Sequence, residues 1–595
     1  LNPYARATEL AATAVGNIAK LFGYSRPNNL DEIKPFKPTY VGNLANTNAQ
    51  DTATKLTFDA KQELTIDTRT FGLDGTDEMA IGAIASRESF LTQFGWAVAD
   101  TSEALLWNVE VNPNVWNQNT IGGYTEYHMP ACCYMALPFN YWKGTMKYRF
   151  QIVASSFHKG RLKITYDPSY PLTNEYNTNY TRIIDLAEER DFTVEIGWGQ
   201  QQPYCKKRQM INGSGNIWSS TALGADAGES ANGILSVYVV NELTVPNSTA
   251  NNDIEVNVFV SAGDDLELAD PTDHFIKQLS WFPPLDAQGG VLSNLPCPSF
   301  LIRSECCNKG KDEEPLDTQA GDLGESPDGD KTTEESAPMQ ETVDETIAAP
   351  TSNSDHTGCV FFGDPVSSIR QLLKRYNYIQ TLVPIASDNG EQVYNWILSD
   401  FPMYRGYAPG AVHEASVPAD PTDYNYAKMT MLNYYVPGFT CWRGGLRWKY
   451  QLMQDNSLTT SYMAAYRDPN PDFAYGQGSV ALLADTTSVS ARTANWLSAM
   501  ESNFFSGAQV TAASVNPVVE VELPYFNNRR FSYAKQANVT TLATNRLMHR
   551  LDVKLNYASN SYDSIQAYCS VGEDFTLGFF TGAPVAYYQA DPTAA

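Results

Sequence analysis

The sequence predicts an all-β chain of two eight-stranded antiparallel jelly-roll sandwiches, with a short amphipathic helix ahead of the first. The main reason is a repeat. Phe139-Asn140-Tyr141-Trp142-Lys143-Gly144-Thr145-Met146-Lys147-Tyr148-Arg149-Phe150 returns as Phe439-Thr440-Cys441-Trp442-Arg443-Gly444-Gly445-Leu446-Arg447-Trp448-Lys449-Tyr450. Further on, Ser261-Ala262-Gly263-Asp264-Asp265 is echoed by Ser570-Val571-Gly572-Glu573-Asp574. Two echoes in the same order at nearly the same offset mark two copies of one domain. Short alternating segments between Gly-, Pro- and Asn-rich loops give the second reason. The third is composition: aromatics make up 12% of 595 residues, with 34 Tyr and 26 Phe, which suits strands.

At the N-terminus, Ala7, Ala11, Ala14, Val15, Ile18 and Phe22 share a helical face, and Gly23 and Pro27 stop it. Such a segment either packs on a neighbour or leaves and disturbs a membrane. In the first half, Arg161-Leu162-Lys163-Ile164-Thr165-Tyr166 alternates before the turn at Asp167-Pro168. Ile254, Val256, Val258 and Val260 oppose Glu255, Asn257 and Phe259. From 310 to about 350, thirteen acids face only Lys311 and Lys331, a local charge of −11, and no Phe, Trp or Tyr occurs between Phe300 and Phe361. A tract this polar cannot bury enough apolar surface to fold, so 304–355 reads as a disordered linker or processing segment. Gln319 and Gln340 are its candidate cleavage positions. Ser367 and Ser368 then cap a predicted helix with Ile369, Leu372, Leu373 and Tyr376 on one face. Val519-Glu520-Val521-Glu522-Leu523 and Leu551-Asp552-Val553-Lys554-Leu555 are predicted strands of the second half. The expected divisions are therefore 1–23, 24–303, 304–355 and 356–595.

No run of about 18 apolar residues is present to span a bilayer. The start has no charged segment followed by an apolar one, so no secretory signal is expected, and Leu1 in place of Met suits a product cut from a precursor. Nine irregularly spaced cysteines, including the adjacent pairs Cys132-Cys133 and Cys306-Cys307, read as reduced thiols rather than a disulfide framework. Without that signal, the sequons at Asn179, Asn212, Asn247 and Asn538 are expected to carry no glycans.

Catalytic patterns fail one by one. There is no phosphate-binding Gly-rich loop, no nucleophile elbow and no His-Glu-x-x-His. Gly263-Asp264-Asp265 resembles a metal-binding aspartate pair. Its echo Gly572-Glu573-Asp574 assigns it instead to a repeated strand end. His128 near Cys132 and Cys133 lacks a second ligand pair, so no metal and no cofactor are expected. Lys143, Lys147, Arg149, Arg443, Arg447 and Lys449 alternate with aromatics. They either touch phosphates or, with the aromatics in the core, face solvent or a neighbour, and the neighbour is preferred. Arg529-Arg530 is a further loop candidate. The net charge of −26 argues against nucleic-acid binding over the whole surface.

Several segments match a known family. Lys61-Gln62-Glu63-Leu64-Thr65-Ile66-Asp67-Thr68-Arg69, Asp77-Glu78-Met79 and Arg87-Glu88-Ser89-Phe90-Leu91 resemble the opening of a picorna-like capsid subunit. Val237-Tyr238-Val239-Val240-Asn241-Glu242-Leu243 resembles a later strand. Phe362-Gly363-Asp364-Pro365 resembles the start of the next subunit, and Gly572-Glu573-Asp574-Phe575 through Gly582-Ala583-Pro584 its end. The similarity is to the dicistrovirus and marine algal groups. It implies a structural polyprotein segment whose two jelly-roll subunits help form a non-enveloped icosahedral shell around positive-strand RNA. The implied partners are a third jelly-roll protein, genomic RNA, a host receptor and, transiently through the N-terminal peptide, a host membrane. Assembly is expected in the host cytoplasm. The resemblance also implies a maturation role for Glu573, Asp574 and Phe575, where relatives carry Asp-Asp-Phe, with cleavage near Phe22-Gly23. Adjacent carboxylates are expected to raise one another's pKa. The alternative is a two-domain carbohydrate-binding β-sandwich protein.

Overall fold

The repeated phrase folds twice into equivalent places. The computed structural model describes Leu44, 53–58, most of 64–168, 179–207, 218–223, 230–245, 253–282, 345–347, most of 360–384, 390–406, 427–453, 461–468, 476–481, 503–534, 547–557 and 563–588, with isolated positions elsewhere. The expected helix at 7–22, the Phe22-Gly23 bond, Gln319, Gln340, Cys306-Cys307, and nearly all of the acidic tract lie outside the described residues.

An N-terminal strand, β1 (Thr54–Lys55), precedes the first sandwich. That sandwich is built from β2 (Ser89–Trp96), β3 (Leu105–Glu110), β4 (Met146–Val153), β5 (Lys159–Asp167), β6 (Tyr180–Asp185), β7 (Asp191–Ile196), β8 (Ile234–Thr244) and β9 (Ile254–Ala262). One sheet runs β2-β9-β4-β7 and the other β3-β8-β5-β6, all antiparallel. The second sandwich uses β10 (Asn377–Leu382), β11 (Gly390–Ser399), β12 (Leu446–Met453), β13 (Tyr462–Asp468), β14 (Ala508–Ala512), β15 (Val518–Leu523), β16 (Met548–Tyr557) and β17 (Ser564–Val571). Its sheets run β10-β17-β12-β15 and β11-β16-β13-β14. Strands one, eight, three and six share one sheet, and strands two, seven, four and five share the other. That order is the jelly roll, and it occurs in both halves.

Alternation built these strands as expected. In β4, Tyr148, Phe150 and Ile152 are buried, while Lys147, Arg149 and Gln151 are half-buried on the other face. β15 departs from the pattern: all six residues are buried, Glu520 and Glu522 included. Its polar face is closed because Glu522 meets Arg447 at 2.8 Å and Glu520 meets Lys449 at 2.9 Å. Lys55 approaches Glu522 from the N-terminal strand, and Tyr376 lies against Lys449.

The outer edges of β7 and β15 are both covered. β1 pairs in parallel with β15, Thr54 opposite Val521. Glu345–Ile347, inside the segment expected to be disordered, instead forms a strand that pairs in parallel with β7, Glu345 opposite Val194. Val194 and Val521 are equivalent, because Glu195 pairs with Lys147 and Glu522 with Arg447 in the repeated strand. The segment preceding each half therefore adds a strand to the other half, in the same register. This exchange satisfies edge groups that would otherwise recruit another chain.

Trp142 and Trp442 enter the two cores at matching points and are 1% and 5% exposed. Trp142 packs edge-on against Trp198, and Trp442 against Phe401, Tyr525 and Phe575. Trp142→Ala and Trp442→Ala should each cost about 3–5 kcal/mol. Denaturant melts of the single variants check this, and unchanged midpoints would show that the tryptophans do not support their cores.

Candidate functional site

The two halves meet through residues that are one another's equivalents. Helix α1 (Ile81–Ala85) precedes β2, and α3 (Ile369–Leu373) stands at the same distance ahead of β10. At their starts, Ala80 bridges Ser368. Ile81 N donates to Ser367 O at 2.9 Å, and Ile369 N donates to Met79 O at 3.1 Å. The helix predicted from Ser367 is thus shorter than expected, and its start is fixed to the first half as well as to the second sandwich. Ser368 caps it through Arg370 N. Beyond the last strands, Leu279 pairs with Tyr588 and Ser280 with Tyr587. Ala586–Tyr588 also extends a hairpin of the first half at Tyr124–His128.

Between these contacts lies a cluster of tyrosines. Helix α2 (Ala131–Ala136) carries Tyr134, and α4 (Met431–Tyr435) carries Tyr434 and Tyr435. Tyr134 Oη donates to Tyr434 O, with Tyr435 O 3.0 Å away, and Tyr434 Oη donates to Tyr134 O at 2.9 Å. The Tyr134 and Tyr434 rings stack at 4.9 Å. Trp281 packs on both rings and donates Nε1–H to Asn433 O at 2.8 Å. Burial pushes the phenols of Tyr134 and Tyr434 well above their ordinary value, so they remain donors. The sequence reading missed this cluster. Its signal was present, since Tyr134 and Tyr434 are 300 positions apart, the offset of the repeated phrase.

The strand-end carboxylates follow the same symmetry. Asp265 accepts from Thr145 N at 2.9 Å and from Thr145 Oγ1 at 2.8 Å. Asp574 accepts from Gly445 N at 2.9 Å. Gly144 and Gly444 have positive φ, and a Cβ there would lie 2.7 Å from Leu266 Cα or 2.4 Å from Phe575 Cα. The repeated Gly is therefore needed where the turn meets the strand end. Both Asp residues thus hold a strand end, as expected of that pair.

Glu573 behaves differently from the expectation. It points outward to an ion pair with Lys374, and that hydrogen bond holds its carboxyl below the ordinary value, with Arg447 and Arg370 adding to the effect. The expected mutual rise with Asp574 is thus corrected at Glu573, because a base and not a second acid is its dominant neighbour. Phe575 is fully buried against Trp442, and Arg370 donates to its carbonyl.

Most of the alternating bases are neutralised within their own sheets. Lys147 pairs with Glu195 at 2.6 Å, and Arg149 with Asp191 at 2.5 Å and Glu88 at 2.8 Å. Arg447 and Lys449 pair with Glu522 and Glu520 on the adjacent strand. Arg443 bonds the Arg530 carbonyl and lies over Tyr525, and Lys143 is buried. The paired bases thus face acids of their own half, not the neighbouring surface that was expected. His128 faces Glu126 at 3.4 Å. Cys132 and Cys133 are buried in α2, and burial pushes the Cys132 thiol up to about 12.

Residues 356–591 match the family model described as CRPV capsid protein like. The structural polyprotein of Cricket paralysis virus is 24% identical over 86% of this chain and 55% of its own length. That of Acute bee paralysis virus is 26% identical over 42% of this chain and 30% of its length. The chain thus spans about half, or less, of the curated relatives it matches. A chain in the structure of a marine algae virus of the order Picornavirales is 39% identical, covering 44% of this chain and 99% of that one, with a TM-score of 0.39. The chain belongs to the picorna-like virus capsid proteins, as a segment of a structural polyprotein.

Proposed function

We propose that the two sandwiches are neighbouring subunits of an icosahedral shell that encloses positive-strand RNA, together with a third jelly-roll protein. The carbohydrate-binding alternative is set aside, because the relatives are viral structural polyproteins. What supports the subunit reading is the exchange of edge strands around paired equivalents. Such a contact holds two like-shaped bodies together without the covalent link between them. The tract at 304–355 can then be cut, at Gln319 or Gln340, after the halves have docked. Host-cell assembly, receptor engagement and membrane disturbance by residues 1–23 belong to the same proposal.

Release of the N-terminal peptide near Phe22-Gly23 is assigned to the strand end of the second subunit. Glu573, kept ionised by Lys374, takes a proton from water. The hydroxide adds to the Phe22 carbonyl, the C–N bond breaks, and the Gly23 amine receives the proton. Asp574 keeps the strand end in place through Gly445 N, and Phe575 anchors it in the core. This is a single turnover in the particle, not enzymatic catalysis on a separate substrate.

Three outcomes follow. After protease cleavage in the acidic tract, the halves should co-sediment. Tyr134→Phe combined with Tyr434→Phe should weaken that association, since each lost hydroxyl leaves a buried carbonyl unsatisfied at a cost of about 1–3 kcal/mol. Halves that separate before any substitution would remove the subunit-pair reading.

Next, Glu573→Gln with Asp574→Asn should give RNA-filled particles that retain the N-terminal peptide, read by mass spectrometry. Release at the normal rate would rule out the proton transfer.

Last, the folded-state pKa of Glu573 is depressed. Its share of stability is therefore present above about pH 4.5, its ordinary value, and is lost as the pH falls through the lowered one. Melting profiles of Glu573→Gln and the parent should converge at low pH. A constant difference across that range would contradict the Lys374 pairing.

A further inference from the structure

Two copies of one domain present equivalent surfaces, which could pair like with like as readily as first with second. Three contacts across the pseudo-twofold decide between these pairings, because each joins residues that the copies do not share. The bridge between Ala80 and Ser368 aligns Asp77 with Pro365, Glu78 with Val366 and Gly82 with Arg370. Phe139 lies opposite Pro271 and Phe439 opposite Phe580, which aligns Asp270-Pro271 with Phe579-Phe580. Asp270 and Phe579 also share a positive φ, 58° and 59°.

The first contact is made by Glu78. Its carboxylate accepts from Phe580 N at 3.3 Å and from Phe579 N. The matching strand end of the first half is a poorer partner. Pro271 has no N–H to give, and Asp270 brings a carboxylate, which Asn140 holds at 2.6 Å. Glu78 of one first half would thus meet a missing donor and a like charge on another. The second contact is made by Asp77, 3.5 Å from Arg370 Nη2 and 3.4 Å from Ser368 Oγ. Gly82 stands in the first half where Arg370 stands in the second, so this ion pair also needs unlike halves.

The third contact is a matter of room. Gly438 is buried against the Tyr134 ring, and a Cβ on it would lie 2.7 Å from Tyr134 Cε1 and 3.1 Å from Phe580 Cε2. Its counterpart in the first half is Pro138, since each directly precedes the repeated Phe. Tyr134 of one first half would run into the Pro138 ring of another. Two second halves fail differently. Val366 and Pro365, in place of Glu78 and Asp77, would leave the Phe579 and Phe580 amides and Arg370 without those acceptors.

We infer that this face recognises the unlike half: a first half binds a second and rejects a copy of itself, and Asp77, Glu78 and Gly438 set that choice. Discrimination comes as much from donors lost and charges opposed in the wrong pair as from contacts made in the right one. The inference rests on the reading of the halves as subunits and adds which of them can share this contact.

The test cuts the full-length chain in the acidic tract and reads the products by native mass spectrometry, below the concentration at which shells assemble. Every complex should hold one first half for each second half. Glu78→Lys changes a half-buried residue outside both sandwiches. It should raise the dissociation constant of the cut halves at least about tenfold, because a cation then faces two amide donors. Gly438→Ala should weaken pairing as well. In a Tyr134→Leu background the same change should cost less than about twofold, since the ring it strikes is gone. Should Gly438→Ala not fold, by circular dichroism, Glu78→Lys decides alone. The inference is overturned by complexes of two first or two second halves, by equal affinity of the parent and Glu78→Lys, or by a Gly438→Ala effect that persists without the Tyr134 ring. Each of these leaves the subunit reading standing, whereas halves that form no complex at all overturn both.

Discussion

Everything else in this chain is arranged around a pseudo-twofold contact in which each half presents to the other the surface it receives. Ala80 meets Ser368, Tyr134 meets Tyr434, and Leu279 meets Tyr588, each pair being equivalent positions of the two copies. In the tyrosine cluster, buried hydroxyls are satisfied by carbonyls of the opposite helix, so neither half can bury its tyrosine alone without losing a partner. The edge strands then extend the same symmetry outward, β1 onto β15 and Glu345–Ile347 onto β7.

The duplication also separates what a jelly roll needs from what one copy has added. Gly144 and Gly444, the carboxylates of Asp265 and Asp574, and the cross-strand pairs of Lys147 and Arg447 recur because they close the same strand end and sheet edge. Glu573 stands outside that shared requirement. Its partner Lys374 lies on the segment following α3, next to the contact between the halves, and that position gives the second copy an ionised carboxylate at its surface.

The jelly-roll class and the repeat were legible because both rest on local pattern: alternation in β4 and β9, and a phrase with Trp, base, Gly and aromatics in register. The strand-end role of the Gly-Asp-Asp echo was legible for the same reason. The burial of Glu520 and Glu522 was not, since it comes from Lys55, Arg447, Lys449 and Tyr376, which lie far apart in sequence. Nor did adjacency reveal the ionisation of Glu573. Two neighbouring carboxylates in a sequence imply repulsion, but the fold points one inward to an amide and the other outward to a base.

The most direct test of the pseudo-twofold contact is a disulfide between its axial residues. Ala80→Cys and Ser368→Cys place two thiols on opposed backbone at an antiparallel β-bridge, whose general Cα separation of about 4.5–5.5 Å suits the about 4.4–6.8 Å that a disulfide requires. Mild oxidation followed by proteolysis of the acidic tract is read on a non-reducing gel. The account predicts that the cut halves stay covalently joined and separate only on reduction. A cysteine pair that remains reduced, with the halves separating freely, would contradict it.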